Sequence, residues 1–143
     1  MSKKINFQFL ISYLGLIPYV LTFLDKYYFL IVDEEDLLNF VTYYSLIIIV
    51  FIGSINWNLK NNPPTHIVVY GFLPSLFAVI IIILRLLNIN LIIIFILIIL
   101  LLLTQLFFDY IILFSNESNK QAFNYLRLPL TVFIVIFISL ISL

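Results

Sequence analysis

The chain has 143 residues, of which 64% are hydrophobic and 10% charged, with zero formal net charge and a mean hydropathy of +1.23. A soluble domain carries about 25% charged and about half apolar residues, so a water-soluble fold of this length could not hide so many Leu, Ile and Phe side chains. The absence of any basic run argues against nucleic acid, and no cysteine with one histidine excludes disulfides, Cys/His zinc sites and a haem held by two histidines of this chain.

Apolar runs near 20 residues, separated by short polar gaps, are the pattern of helices crossing a hydrocarbon core of about 30 Å. Barrel strands would alternate in polarity, whereas the run from Leu91 to Leu103 has no polar residue at all. The expected fold is an all-α integral membrane protein: one polytopic domain over residues 1–143, a bundle of about five transmembrane helices. Lys3 and Lys4 precede the first apolar stretch, residues 5–24. Asp25-Lys26-Tyr27-Tyr28 follows it in place of a small-residue cleavage site, so the stretch reads as an uncleaved helix rather than a signal peptide.

Residues 25–36 form an external turn whose Tyr27, Tyr28 and Phe29 suit the headgroup level. The acidic run Asp33-Glu34-Glu35-Asp36 stands just before helix two, residues 37–57, where carboxylates cap free N–H groups and meet the positive end of the dipole. Cation binding is the less favoured role for it. After a polar turn at 58–64, Pro64 is placed to open helix three at its first position, where a proline loses no hydrogen bond. Helix three takes residues 65–87, and Asn88-Ile89-Asn90 turns tightly into helix four, residues 91–108. A polar connection at 115–121 leads to helix five, residues 123–143, with a bend at Pro129.

The basic residues set the expected orientation. With the N-terminus inside, Lys3, Lys4, Lys60, Lys120 and Arg127 lie inside, against Lys26 and Arg85 outside, and the C-terminus falls outside. Helix packing in lipid depends on small residues that let backbones approach. Gly71, Ser75 and Ala78 share a face of helix three; Ser12 and Gly15 serve helix one, and Ser45, Gly53 and Ser54 helix two. Tight contacts are therefore expected among helices one to three, with the middle of helix four facing lipid. Gly15 and Gly71 each stand three residues before a mid-helix proline, Pro18 and Pro74, which should kink their helices and free the carbonyls of Leu14 and Tyr70. A neighbouring hydroxyl or water is the expected partner for such a carbonyl; a cation or substrate, as in broken transporter helices, is the sharper reading.

The same topology gathers polar residues at the inner face: Asn56, Trp57, His66, Asp109, Tyr125 and Arg127. Ionisable groups at membrane depth are costly and find partners, so Asp109 and Arg127 form the expected ion pair, with Tyr125 or Gln105 as further hydrogen-bond partners. The bland role is to pin helix four to helix five; a proton relay, a substrate site or a partner or anionic-lipid contact are the alternatives. His66 reads as a solvated interfacial residue. No nucleophile–base set, phosphate loop or metal-ligand spacing is present, so no catalytic, cofactor or metal residue is assigned.

Several segments resemble an uncharacterised family that includes transmembrane protein 69 (domain of unknown function 3429). They are Tyr13-Leu-Gly-Leu-Ile-Pro-Tyr19, Tyr44 through Phe51-Ile-Gly-Ser-Ile-Asn-Trp57, Tyr70-Gly-Phe-Leu-Pro-Ser-Leu76, Gln105 to Asp109, and Tyr125-Leu-Arg-Leu-Pro-Leu-Thr131. The resemblance touches all five helices and implies a small inner-membrane protein, bacterial or mitochondrial. Asp109 and Arg127 match the family pattern, whereas Asn56 and Asn58 stand where the family usually has histidine and glycine. The expected function is a non-enzymatic accessory or assembly component of a larger membrane complex, with the lipid bilayer, complex subunits or a second copy as partners. The alternative is a small oligomeric transporter or channel that uses the kinked helices one and three and the Asp/Arg cluster. A membrane enzyme acting on lipid or quinone ranks third.

Overall fold

In the computed structural model, residues 7–54, 64–113, 120 and 123–143 are described, and all their regular structure is helical. The elements are α1 (Phe7–Leu14), α2 (Ile17–Leu24), α3 (Glu34–Ser54), α4 (Thr65–Leu86), α5 (Leu91–Leu113) and α6 (Leu128–Ser142). A π-helical turn over Asp25–Phe29 extends α2, and another over Phe123–Arg127 leads into α6. Together α1 and α2 form the first of five helices. Each of the other four is long and apolar enough to cross a membrane.

The first helix is broken rather than merely kinked. Gly15 and Leu16 leave the α pattern, their N–H groups donating to Ser12 and Tyr13 three residues back at 3.2 and 3.0 Å. Restarting at Ile17 puts Pro18 in the first turn of α2, where its missing N–H costs no intrahelical bond. Pro129 is handled in the same way, because the π-helical turn ends at Arg127 and the proline falls in the first turn of α6. Pro74, by contrast, sits inside an α4 that continues through it.

Three helix ends differ from the sequence expectation. Glu34, Glu35 and Asp36 form the first turn of α3 instead of preceding it. Pro64 is the N-cap of α4, with ψ 144°, and Thr65 takes the first helical position. The fourth helix continues to Leu113, which moves Asp109 from its end to a full turn inside. At the α4–α5 turn Asn88 takes φ 58°, a left-handed position that asparagine tolerates, and the Asn90 side chain accepts from the Ile92 N–H at 2.9 Å to cap α5.

The small residues bring α3 against α4 as expected. A methyl placed on Gly53 would lie 2.7 Å from Pro74 Cγ and 2.9 Å from the Gly71 carbonyl oxygen, so hydrogen is the only side chain this contact admits without movement. Helix four departs from expectation. Ile94, Ile98 and Leu102 of α5 are fully buried, because α5 packs on both α3 and α6. Only its far face, with Ile92, Ile96 and Leu103, is exposed. A helix without small residues can still be central when its aliphatic side chains interdigitate with those of its neighbours.

Candidate functional site

Tyr70 stands one turn into α4, Gln105 and Asp109 lie on the last turns of α5, and Arg127 ends the π-helical turn before α6. Their meeting follows from the α4–α5 hairpin. Tyr70 lies 18 residues before Asn88 and Asp109 lies 19 after Asn90, so antiparallel helices with equal rise bring the two to the same level.

Asp109 is buried, and both its oxygens are engaged. The Tyr70 hydroxyl donates to Oδ1 at 2.7 Å and also lies 3.0 Å from the Gln105 carbonyl oxygen. Arg127 Nε donates to Oδ2 at 2.5 Å, and the two side chains of this pair are 13% and 6% exposed. Arg127 Nη1 donates to the Thr131 hydroxyl at 3.2 Å, and that hydroxyl donates to the Arg127 carbonyl at 2.9 Å. Gln105, also buried, donates from Nε2 to the Ile49 carbonyl of α3 at 3.0 Å. One connected set of polar contacts therefore ties α3, α4, α5 and α6 together. Among the described residues two atoms of this set are buried without a hydrogen-bond partner, Gln105 Oε1 and Arg127 Nη2.

The structure brings together two of the six residues grouped from the sequence, Asp109 and Arg127. Tyr125 points its side chain outward, 68% exposed, and contributes only its carbonyl, which accepts from the Tyr13 hydroxyl at 2.6 Å. His66 is exposed in the first turn of α4, and Asn56 and Trp57 lie outside the described residues. Sequence reasoning missed Tyr70 and Thr131 as members. Thr131 was legible from its i+4 spacing to Arg127, and Tyr70 from the hairpin count above.

The broken first helix has its own partner. The Tyr44 hydroxyl of α3 donates to the Gly15 carbonyl at 2.8 Å, so a neighbouring hydroxyl serves the break, one residue beyond the Leu14 carbonyl singled out from the sequence. Beside it, Tyr19 and Ser45 share a buried hydrogen bond of 2.8 Å.

At the other end of the bundle, Lys26 donates to the Ile141 carbonyl at 2.6 Å and pairs with Glu34 at 3.0 Å. Arg85 reaches Glu35 at 3.1 Å and the Asn39 side-chain oxygen at 2.9 Å. The acidic run thus works as a first turn with basic partners. Among the described residues no cluster of three or more His, Cys, Asp or Glu could hold a metal ion.

Four helices long and apolar enough to cross a membrane, a broken first helix and a buried ion pair make up an all-helical bundle, and the chain is an integral membrane protein. It belongs to the family described as protein of unknown function (DUF3429), whose model matches residues 6–143. No curated protein and no solved structure matches the chain.

Proposed function

We propose that this protein is a non-catalytic accessory or assembly component of a larger complex in the inner membrane of a bacterium or mitochondrion. The observation that supports this reading is the closed state of the buried carboxylate: Tyr70 and Arg127 occupy both oxygens of Asp109, and the contacts reach four helices. A charge spent in this way holds a bundle in one arrangement, as a subunit that presents a fixed surface requires. The proposed orientation keeps the N-terminus inside and the C-terminus outside, and reporter fusions at Lys60 and Leu143 should fall on opposite sides.

The test is native-gel sizing with mass spectrometry of an N-terminally tagged chain in mild detergent. Reproducible co-migration with a large assembly supports the proposal and identifies the partner; a lone or self-associated species overturns it. A second reading, a small oligomeric transporter, is favoured by the break at Gly15 and Leu16, since interrupted helices build ion sites in transporters. Asp109→Asn separates the two. A structural clasp loses stability or assembly, whereas a transporter stays folded and assembled and loses ion-coupled flux in liposomes.

A further inference from the structure

At the end of the bundle where Lys26 and Arg85 meet Glu34 and Glu35, the chain between the first helix and α3 presents five consecutive aromatic and aliphatic side chains. Tyr28, Phe29, Leu30, Ile31 and Val32 are all exposed, Ile31 by 79%. Tyr27, just before them, is anchored instead, its hydroxyl donating to the Leu140 carbonyl of α6 at 2.7 Å. We infer that residues 28–32 form a prong that inserts its side chains into the headgroup–acyl boundary of the protein's own bilayer, so that a lipid surface is its partner.

Three observations lead there. First, the backbone donors of the prong are closed from within by one residue. The Leu30 N–H donates to the Asp25 carbonyl at 2.7 Å, and the Ile31 and Val32 N–H groups donate to the two Asp25 carboxylate oxygens at 3.3 and 3.1 Å. A segment that meets lipid must bring its donors already satisfied, whereas a loop in water can leave them to solvent. Second, Leu30 stands at φ 52° and ψ 41°, the left-handed position after a helix that glycine fills most easily. A leucine there strains the backbone, and its exposed side chain gains in return only from apolar surroundings outside the chain. Third, the prong turns toward the membrane-facing helices. Phe29 and Val32 line one recess of about 410 Å³ with Leu21 and Phe40. Leu21 lies four residues before Asp25 and Phe40 four after Asp36, about 6 Å of helix rise further along the bundle. Both are exposed, so the apolar surface runs unbroken from the helix faces onto the prong. The level is that of the charged groups, since Lys26 pairs at the start of α3 and reaches the Ile141 carbonyl near the end of α6, and charges gather where a bundle meets water. A partner protein would find the N–H groups of residues 30–32 already spent, and Glu34 and Glu35 already matched by Lys26 and Arg85.

The chain has no cysteine, so one substitution places a nitroxide label at one position. Ile31→Cys is compared with Asp33→Cys in the acidic run and with Ile47→Cys on the exposed face of α3. Each full chain is reconstituted in phosphatidylcholine vesicles. Power-saturation EPR then reads collisions of the label with oxygen, which concentrates in lipid, and with a water-soluble nickel chelate. The oxygen-to-nickel ratio at position 31 should exceed that at position 33 at least about threefold, in the direction of position 47. A ratio equal to that at position 33 means that water surrounds the prong, and overturns the inference. So does a label that neither reagent reaches, since a second copy of the chain then covers it. Leu30→Cys gives the same reading if Ile31→Cys does not fold. Adding Asp25→Ala to Ile31→Cys should lower the ratio at least about twofold, because the freed N–H groups draw the segment toward water. An unchanged ratio overturns the part given to Asp25. None of these outcomes depends on whether the chain joins a larger complex.

Discussion

The two ends of the bundle use the same chemistry in different surroundings. At one end Arg127 and Asp109 are both withdrawn from solvent, and Tyr70 and Thr131 complete their hydrogen bonds. At the other, Lys26 and Arg85 are buried to a similar degree, but their partners Glu34 and Glu35 are 67% and 76% exposed. An exposed carboxylate keeps its hydration whether or not the base is near, so the pair contributes little. A buried carboxylate has given up its water and depends on the partners that replace it. The buried pair is therefore a joint in which losing one partner costs far more than forming the pair gained, whereas the other end is an adjustable surface contact.

Arg127→Ala tests this difference most severely. It should cost about 3–5 kcal/mol, because Asp109 keeps only the Tyr70 hydrogen bond in a buried position. Reversible unfolding in mixed detergent micelles measures it, and a loss below about 1 kcal/mol would put the pair in the same class as the exposed ones. Replacing both Asp109 and Arg127 by leucine should cost less than Arg127→Ala alone, since no charge is then left without its partner. Tyr70→Phe should come next, at about 1.5–3 kcal/mol, the range of a hydrogen bond to a charged group. The same unfolding assay reads it, and an unchanged variant would mean that Arg127 alone satisfies the carboxylate.

Gly53→Ala sharpens the comparison by asking how much of the joint is packing rather than charge. With the new methyl only 2.9 Å from a backbone carbonyl, α3 and α4 must separate, at about 1–3 kcal/mol. If thermal unfolding shows no loss, the α3–α4 contact is looser than its geometry. The smallest effect belongs to Glu35→Gln at the exposed end, about 0.2–1 kcal/mol. That loss should fade in high salt, and a salt-independent loss would put the Arg85–Glu35 pair in the same class as Arg127–Asp109.

Much of the architecture could be read from residue order. The presence and order of the long helices follow from apolar length, though not their exact ends; Asn88 and Asn90 mark the hairpin, and Asp109 with Arg127 is the ion pair that membrane depth demands. The misreadings have physical causes. Small-residue spacing identifies where two backbones can approach closely, and Gly53 against Gly71 and Pro74 bears that out. It does not say that helices lacking such residues stay outside, and Ile94, Ile98 and Leu102 are buried at the centre. A shared membrane face likewise groups residues by height alone. It placed Tyr125 and His66 with Asp109, although their side chains turn away from the bundle.

Sequence alone determined the class of the protein and the number of its helices. These depend on hydrophobic length and chain order, which neighbouring helices do not alter. Tertiary structure decided which side of each helix is inward, that Tyr70 and Thr131 complete the pair, and that the first helix breaks at Gly15 and Leu16 with Tyr44 serving the Gly15 carbonyl. Helices that are apolar on every face carry almost no signal of their own orientation. Rotation is chosen only when side chains of different helices meet.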